Sequence, residues 1–268
     1  MSMNITKHLT DIPDAKSSTF WHAHVKNDYA CNQQGFRADS FEEPQELKVV
    51  SLGCSNTLGW ALDIEDRFSS IFCKNLSQTT GKSVSDWNLG LAGKSNDYIA
   101  RMAFTCEQHL KPDVYLIAFT GIGRREYWDC NGKCIDYVPS NYPDTVKKKM
   151  PNEFHLHKKI HLLSSEVDNI NNFFRNFKTI ECLLQNTTWF YTFSSGCEPN
   201  GTTSQSIENL IPQEKYVDYF HLLDRANDGL HPGKESNKHL ADRFLQRYIN
   251  ESVGSTHIER TNKIVRYL

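Results

Sequence analysis

Four strand-length apolar runs constrain the fold of this chain more than any other feature. They read LKVVSL, VSDWN, VYLIAF and TWFYTF and predict strands at Leu47–Leu52, Val84–Asn88, Val114–Phe119 and Thr188–Phe193. Stretches with a helical pattern separate them. Because strands that alternate with helices build a parallel sheet with helices on both faces, the order predicts an α/β fold.

Four helices are predicted around these strands. Residues 67–78 repeat apolar residues at helical spacing, and the pattern stops at Gly81. Residues 95–110 begin at Ser95, a suitable cap, and end before a proline. Two further helices are expected from Glu166 to Leu184 and from about Lys234 to Tyr248.

The chain is expected to form one domain over residues 46–250, since no internal repeat is visible. Residues 1–45 are expected to pack on it as an N-terminal helix and arm, and residues 251–268 form a C-terminal tail. Two insertions, 121–165 and 195–222, follow the ends of predicted strands. In open α/β sheets that edge binds ligands, so the insertions are placed to shape a pocket.

Composition narrows the choice of partners. The 268 residues include 30 Lys and Arg and 32 Asp and Glu, so the near-neutral charge favours neither nucleic acid nor a membrane surface as the main partner. No apolar run approaches the roughly 20 residues that span a bilayer, and the N-terminus lacks the apolar stretch of a signal peptide. A small substrate and a cytoplasmic location are expected.

Eight scattered cysteines predict reduced, mostly buried thiols rather than a disulfide framework. The stretch DCNGKC predicts a hairpin in which Asn131 and Gly132 form the turn and bring Cys130 near Cys134. No second cysteine pair follows to complete a zinc site. Neither a metal nor a cofactor is predicted.

The polar residues that could carry chemistry follow the ends of three successive strands, and a fourth group comes just before the last helix. They occur in four stretches, GCSNTLG, NLGLAGKSND, TGIGRRE and DGLHPG, which begin at residues 53, 88, 120 and 228. A serine attacks a carbonyl only if a base removes its proton, and a histidine base needs a partner that fixes its tautomer. Ser55, His231 and Asp228 could fill these roles, with backbone N–H groups near Ser55 and Gly93 holding the oxyanion.

These stretches resemble the motif blocks of the SGNH (GDSL-type) hydrolase superfamily over roughly residues 46–250. GCSNTLG resembles the block G-D-S-x-T-x-G with Ser55 as nucleophile, and DGLHPGKESNKHLADRFL resembles the block that supplies Asp228 and His231. NLGLAGKS resembles the second block, which implies that the Gly93 N–H serves the oxyanion hole. The combination is also similar to SGNH-like proteins of tailed bacteriophages, which implies a virion-associated location as an alternative.

The resemblance implies a three-layer α/β/α sandwich around a flavodoxin-like parallel sheet of about five strands. It also implies a serine esterase that cleaves an ester of a small molecule or carbohydrate, with O-acetylated sugars, lipids and thioesters among the family's substrates. The first block departs from the family at Cys54, where an aspartate is usual. The third block departs more seriously, because TGIGRRE lacks the asparagine of G-x-N-D.

That asparagine donates to the oxyanion, and loss of one such donor costs about 2.7 to 4 kcal/mol of transition-state stabilisation. Either another group replaces it, with Asn96, Arg124 and Arg125 as candidates, or the site is slow or inactive. In the second case the protein would be a carbohydrate-binding or virion-associated module. The arginines have two further interpretations: they bind an anionic group of the substrate, or they form structural ion pairs.

Two short segments also allow an interpretation other than a hydrolase site. Ser55 could simply cap a turn or helix. The sequence Gly93-Lys94-Ser95 ends like a phosphate-binding loop, which would make the protein a nucleotide-binding one. That fingerprint requires a glycine where this chain has Asn88.

Overall fold

The structure, a computed structural model, describes residues 29–128, 134–139, 151–195, 207 and 211–265. Its strands are β1 Leu47–Leu52, β2 Val84–Asn88, β3 Val114–Phe119, β4 Arg125–Trp128, β5 Cys134–Tyr137 and β6 Thr188–Phe193. Four of them form a parallel sheet in the order β2-β1-β3-β6. These four strands are the predicted ones, with the predicted bounds.

Helices cover both faces of this sheet. They are α1 Ser55–Leu58, α2 Phe68–Thr80, α3 Asn96–His109, α4 Pro151–Leu163, α5 Glu166–Leu183 and α6 Lys234–Val265. Helices α2, α3 and α5 agree closely with the predictions, and Ser95 caps α3 by accepting from the Tyr98 N–H at 3.3 Å. Helix α6 continues beyond the predicted end near Tyr248, and α4 lies in an insertion where no helix was predicted.

The strands bury alternate residues on opposite faces, as β geometry requires. In β3, Tyr115, Ile117 and Phe119 pack against α3 and α5, whereas Val114 and Leu116 pack against α2 and α6. All five are at most 1% exposed. The two cores confirm the predicted α/β fold with an α/β/α layer order.

The described sheet has four strands rather than about five, because the segment beside β6 does not form a regular ladder. Val217 N–H donates to Tyr191 O at 3.0 Å, and Phe220 N–H donates to Phe193 O at 3.3 Å. Between them the Tyr219 N–H donates at 2.8 Å to the side chain of Asp218 instead of to β6. The side-chain bond interrupts the pairing and leaves an isolated bridge at this edge.

Strands β4 and β5 form the predicted hairpin outside the main sheet. They pair antiparallel from Arg125 opposite Tyr137 to Trp128 opposite Cys134. The predicted turn and Cys130 lie outside the described residues. Of the six cysteines in the described part of the chain, three are buried, and none forms a disulfide bond.

The segment before β1 is anchored although it contains no regular element over residues 29–46. It buries Phe36, Arg37 and Phe41, each at most 7% exposed. The helix predicted further upstream lies outside the described residues. Among the described helices, none is both long and apolar enough to cross a membrane.

Candidate active site

The turn after β1 presents Ser55 at the carboxyl edge of the sheet. Cys54 is the N-cap of the one-turn helix α1, without a side-chain capping bond, and Ser55 is its first residue. The Ser55 hydroxyl lies 3.0 Å from His231 Nε2. The interpretation of Ser55 as a capping residue is therefore wrong, since the hydroxyl contacts an imidazole and Cys54 holds the cap position.

The loop after β2 holds this turn from one side. Leu91 N–H donates to Gly53 O at 3.3 Å, and the Asn88 amide donates to Thr57 O at 2.6 Å. Gly90 lies directly under α1, because a Cβ added there would meet Leu58 N at 2.6 Å. The missing side chain thus allows the two loops to approach as closely as the site requires.

A second loop, residues 224–233, carries the histidine and leads into α6. Asp224 accepts backbone hydrogen bonds from Glu235 at 3.1 Å and from Ser236 at 2.9 Å, which caps the helix and fixes the start of the loop. Ala226 N–H donates to His231 O at 2.8 Å, which closes the loop. The imidazole is therefore positioned by the helix terminus that follows it.

Asp228 orients the histidine ring. Its Oδ2 lies 2.6 Å from His231 Nδ1, while its Oδ1 accepts the N–H groups of Leu230 at 2.9 Å and His231 at 3.1 Å. Burial alone would raise the pKa of Asp228, but these hydrogen bonds outweigh burial and lower it. The ionised carboxylate accepts a hydrogen bond from Nδ1–H, so Nε2 is left to accept a hydrogen bond from the Ser55 hydroxyl.

Trp60 lies against the imidazole, a contact that the sequence did not reveal. The two ring centroids are 6.1 Å apart, and the ring planes meet at 38°. Arg37, from the segment before β1, donates to Gly59 O at 2.8 Å and to Leu62 O at 2.7 Å, on both sides of Trp60. Only the position of Trp60, directly after the GCSNTLG stretch, could have drawn attention to it.

The three predicted oxyanion donors, at Ser55, Gly93 and Asn96, differ in their backbone setting and in their hydrogen bonds. Ser55 opens α1, and the first N–H groups of a helix have no partner within it. Gly93 has a φ of 75° in the loop between β2 and α3. By contrast, the amide of Asn96 is buried and bonded to Thr120, donating to its carbonyl at 3.0 Å and accepting its N–H at 2.9 Å. Asn96 thus ties α3 to the end of β3.

The three cationic residues that the sequence singled out, Lys94, Arg124 and Arg125, have different partners in the structure. Arg125 forms an ion pair with Asp168 at 2.6 Å. Of the two interpretations of this arginine, the ion pair within the protein is therefore the one observed. Lys94 forms a largely buried ion pair with Asp136 at 2.6 Å, so it does not have the exposed ammonium of a phosphate-binding loop. Arg124 donates to Lys94 O at 3.4 Å.

Cys54 is almost fully buried in the turn that carries Ser55, with Sγ 3.4 Å from Ser194 Oγ. Burial raises the pKa of this thiol, but the nearby charge of Arg124 and several hydrogen bonds outweigh burial and lower it. The positive charge of Arg124 thus favours the ionised form of the thiol that precedes Ser55.

One cluster of metal-type ligands occurs in the described residues, on the β4–β5 hairpin. Atoms of Glu126, Cys134 and Asp136 lie within 4.8 Å of one another. Arg101 already pairs with Glu126 at 2.8 Å, and Lys94 with Asp136. Burial and the two carboxylates raise the pKa of Cys134 to about 12, which keeps the thiol protonated at neutral pH. This donor set does not suit a metal ion.

Comparisons with known proteins give similarity in structure but not in sequence. The chain matches no described protein family, and no curated protein is detectably similar to it. Similar solved structures include the esterase EstA from Pseudoalteromonas sp., 12% identical with a TM-score of 0.46 over 78% of this chain and 100% of that one.

Two other similar structures have comparable values. The family 3 carbohydrate esterase of Clostridium thermocellum is 17% identical, with a TM-score of 0.44 over 76% of this chain and 96% of that one. TesA is 13% identical, with a TM-score of 0.47 over 75% of this chain and 97% of that one. Similarity at this level does not indicate an activity. The activity of this protein is therefore inferred from the geometry of the site alone.

Proposed function

We propose that this protein is a serine esterase of the SGNH type with Ser55, His231 and Asp228 as its catalytic triad. The observation that carries the proposal is the continuous chain of contacts from Ser55 Oγ to His231 Nε2, 3.0 Å, and from His231 Nδ1 to Asp228 Oδ2, 2.6 Å. These residues lie at the carboxyl edge of a parallel sheet, where α/β proteins bind substrates. A serine, an imidazole and a carboxylate in this order supply the nucleophile, the base and the group that orients the base.

The reaction is a two-step acyl transfer. His231 takes the proton of Ser55 as the serine oxygen attacks the ester carbonyl, and the N–H groups of Ser55 and Gly93 hold the oxyanion. The protonated histidine then gives its proton to the departing alcohol. In the second step His231 removes a proton from water, which attacks the acyl-enzyme and releases Ser55 and the acid. The substrate class is an ester of a small molecule or carbohydrate, with an O-acetyl group as the simplest acyl part.

Hydrolysis of 4-nitrophenyl acetate and butyrate by wild type, Ser55→Ala and His231→Ala tests this proposal. We expect wild type to release 4-nitrophenol and each variant to lose on the order of 10⁴-fold or more in kcat, since triad members act as a unit. Ser77→Ala is the matched control and should retain full activity. It removes a hydroxyl on α2 that donates a hydrogen bond to Lys82 O.

Fluorophosphonate labelling gives an independent readout. Wild type and Ser77→Ala should each form one covalent adduct, and Ser55→Ala should form none. Turnover by Ser55→Ala at the wild-type rate, or a folded wild-type protein that hydrolyses neither ester, would exclude the proposed function.

A further inference from the structure

The cations around the loop after β3 are neutralised, with one exception. Lys94, Arg101 and Arg125 pair with Asp136, Glu126 and Asp168 at distances of 2.6, 2.8 and 2.6 Å. Within the described part of the chain, no carboxylate lies at ion-pair distance from Arg124. Its guanidinium has one hydrogen bond there, the 3.4 Å contact with Lys94 O.

The position of Arg124 links it to the candidate active site. Its N–H closes the turn after β3 by donating to Gly121 O at 3.0 Å. Its side chain reaches back to the residue after Gly93 and acts electrostatically on Cys54, the residue before Ser55. Arg124 therefore lies against the loop that carries Gly93, and its charge acts on the turn that carries Ser55.

A half-buried guanidinium without a counter-ion loses hydration and gains little within the protein. A bound anion would supply the missing partner, and the planar fork of arginine matches a carboxylate in two parallel hydrogen bonds. One guanidinium, with the neighbouring cations already paired, balances a single negative charge. This favours a carboxylate over a phosphate monoester, which carries between one and two negative charges.

We propose that Arg124 binds a carboxylate of the substrate, so that the preferred ester carries a free carboxylate close to its scissile carbonyl. This inference rests on the proposed esterase function, because it assigns a specificity residue to that site. The triad hydrolyses the ester, and Arg124 selects which ester is held beside Ser55.

Two pairs of esters that differ in one charge test the inference. Mono-4-nitrophenyl adipate and its methyl ester place the charge on the acyl side, whereas 4-acetoxybenzoate and its methyl ester place it on the alcohol side. All rates are divided by the uncatalysed rate to remove differences in reactivity. We expect wild type to favour the charged member of at least one pair by roughly 10- to 100-fold in kcat/KM, mainly through KM.

Three variants separate binding of a carboxylate from other roles. In Arg124→Gln the preference should fall to about one, and Arg124→Lys should retain part of it because the charge remains. Arg175→Gln removes the same charge from an exposed position on α5 and should keep the wild-type preference. Added salt should weaken the preference in wild type.

The remaining outcomes would overturn the inference in distinct ways. Equal rates within both pairs for wild type, or a preference that survives in Arg124→Gln, would exclude a carboxylate site at Arg124. An equal fall of kcat on charged and neutral esters in Arg124→Gln would instead assign Arg124 to the oxyanion. If wild type hydrolyses neutral esters without any charge preference, the inference fails while the proposed function stands. A folded protein that hydrolyses no ester excludes both.

Discussion

At the level of single residues, the site depends on which partner each polar atom has. The Ser55 hydroxyl contacts an imidazole, whereas the Asn96 amide is bonded through both its nitrogen and its oxygen to the backbone of Thr120. Both residues looked suitable for chemistry in the sequence. Their hydrogen bonds distinguish a reactive group from one that holds two elements together.

Replacing Asp228 by Asn should lower kcat on the order of 10⁴-fold while the protein stays folded. The NH₂ group of the new asparagine cannot accept a hydrogen bond from Nδ1–H of His231. The imidazole is then held in the wrong tautomer or loses its orientation. Kinetics with 4-nitrophenyl acetate and thermal unfolding measure the two effects separately. A kcat within a factor of about ten of wild type would show that Asp228 is dispensable.

Activity should fall as the pH decreases from about 8 to about 5, because a protonated imidazole cannot accept the proton of Ser55. The direction of this pH dependence follows from Asp228 and His231. The lowered pKa of Asp228 keeps its carboxylate ionised throughout this range, so loss of the carboxylate charge does not cause the fall. A pH profile of kcat/KM tests this, and a level profile over the range would contradict a histidine base.

At the level of elements, the site depends on how closely two loops pack. Gly90→Ala should reduce both stability, by roughly 1–3 kcal/mol, and kcat, because the new methyl group would lie 2.6 Å from Leu58 N and displace α1 with Ser55. Urea unfolding and ester hydrolysis provide the two measurements.

Gly81→Ala is the control for this change. Gly81 has a φ of 71° at the end of α2 with no atom within 4 Å of an added Cβ, so the substitution strains the backbone away from the site. It should lower stability by about 1 kcal/mol and leave kcat unchanged. If Gly90→Ala behaves in the same way, the packing of α1 on this loop does not position the nucleophile.

Elements with a strong periodic pattern were the ones that the sequence could predict. Strands β1, β3 and β6 carry apolar residues on both faces, and Gly81 and Ser95 mark helix ends through backbone geometry and capping. Helix α4 was missed because PNEFHLHKKIHLL has only a weak apolar stripe. The contact of Trp60 with His231 was missed because it joins residues 171 positions apart, without a local signal.

At the level of the whole molecule, packing of α6 on α2 holds the two halves of the site together. Phe244 of α6 is fully buried, and its ring centroid lies 5.7 Å from that of Phe68 on α2. Phe68 N–H also donates at 3.0 Å to the side chain of Asn237 at the start of α6. The loop that carries His231 directly precedes this contact.

Phe244→Ala should destabilise the protein by about 3–5 kcal/mol, since it removes an aromatic ring from a closed core. Phe104→Ala is the matched control, because Phe104 is 49% exposed on α3 and its loss should cost well under 1 kcal/mol. Denaturant unfolding measures both. Equal losses for the two variants would mean that the α2–α6 contact does not stabilise the fold.

The 176 positions between Ser55 and His231 also have a consequence for biosynthesis. A ribosome adds about 5–20 residues per second, so Ser55 emerges roughly ten to thirty-five seconds before the loop that carries His231. During that interval the nascent chain contains Ser55 but no base. If the triad is as proposed, hydrolysis begins only when the last helix has folded onto the sheet, and a truncated translation product that ends before His231 is inert.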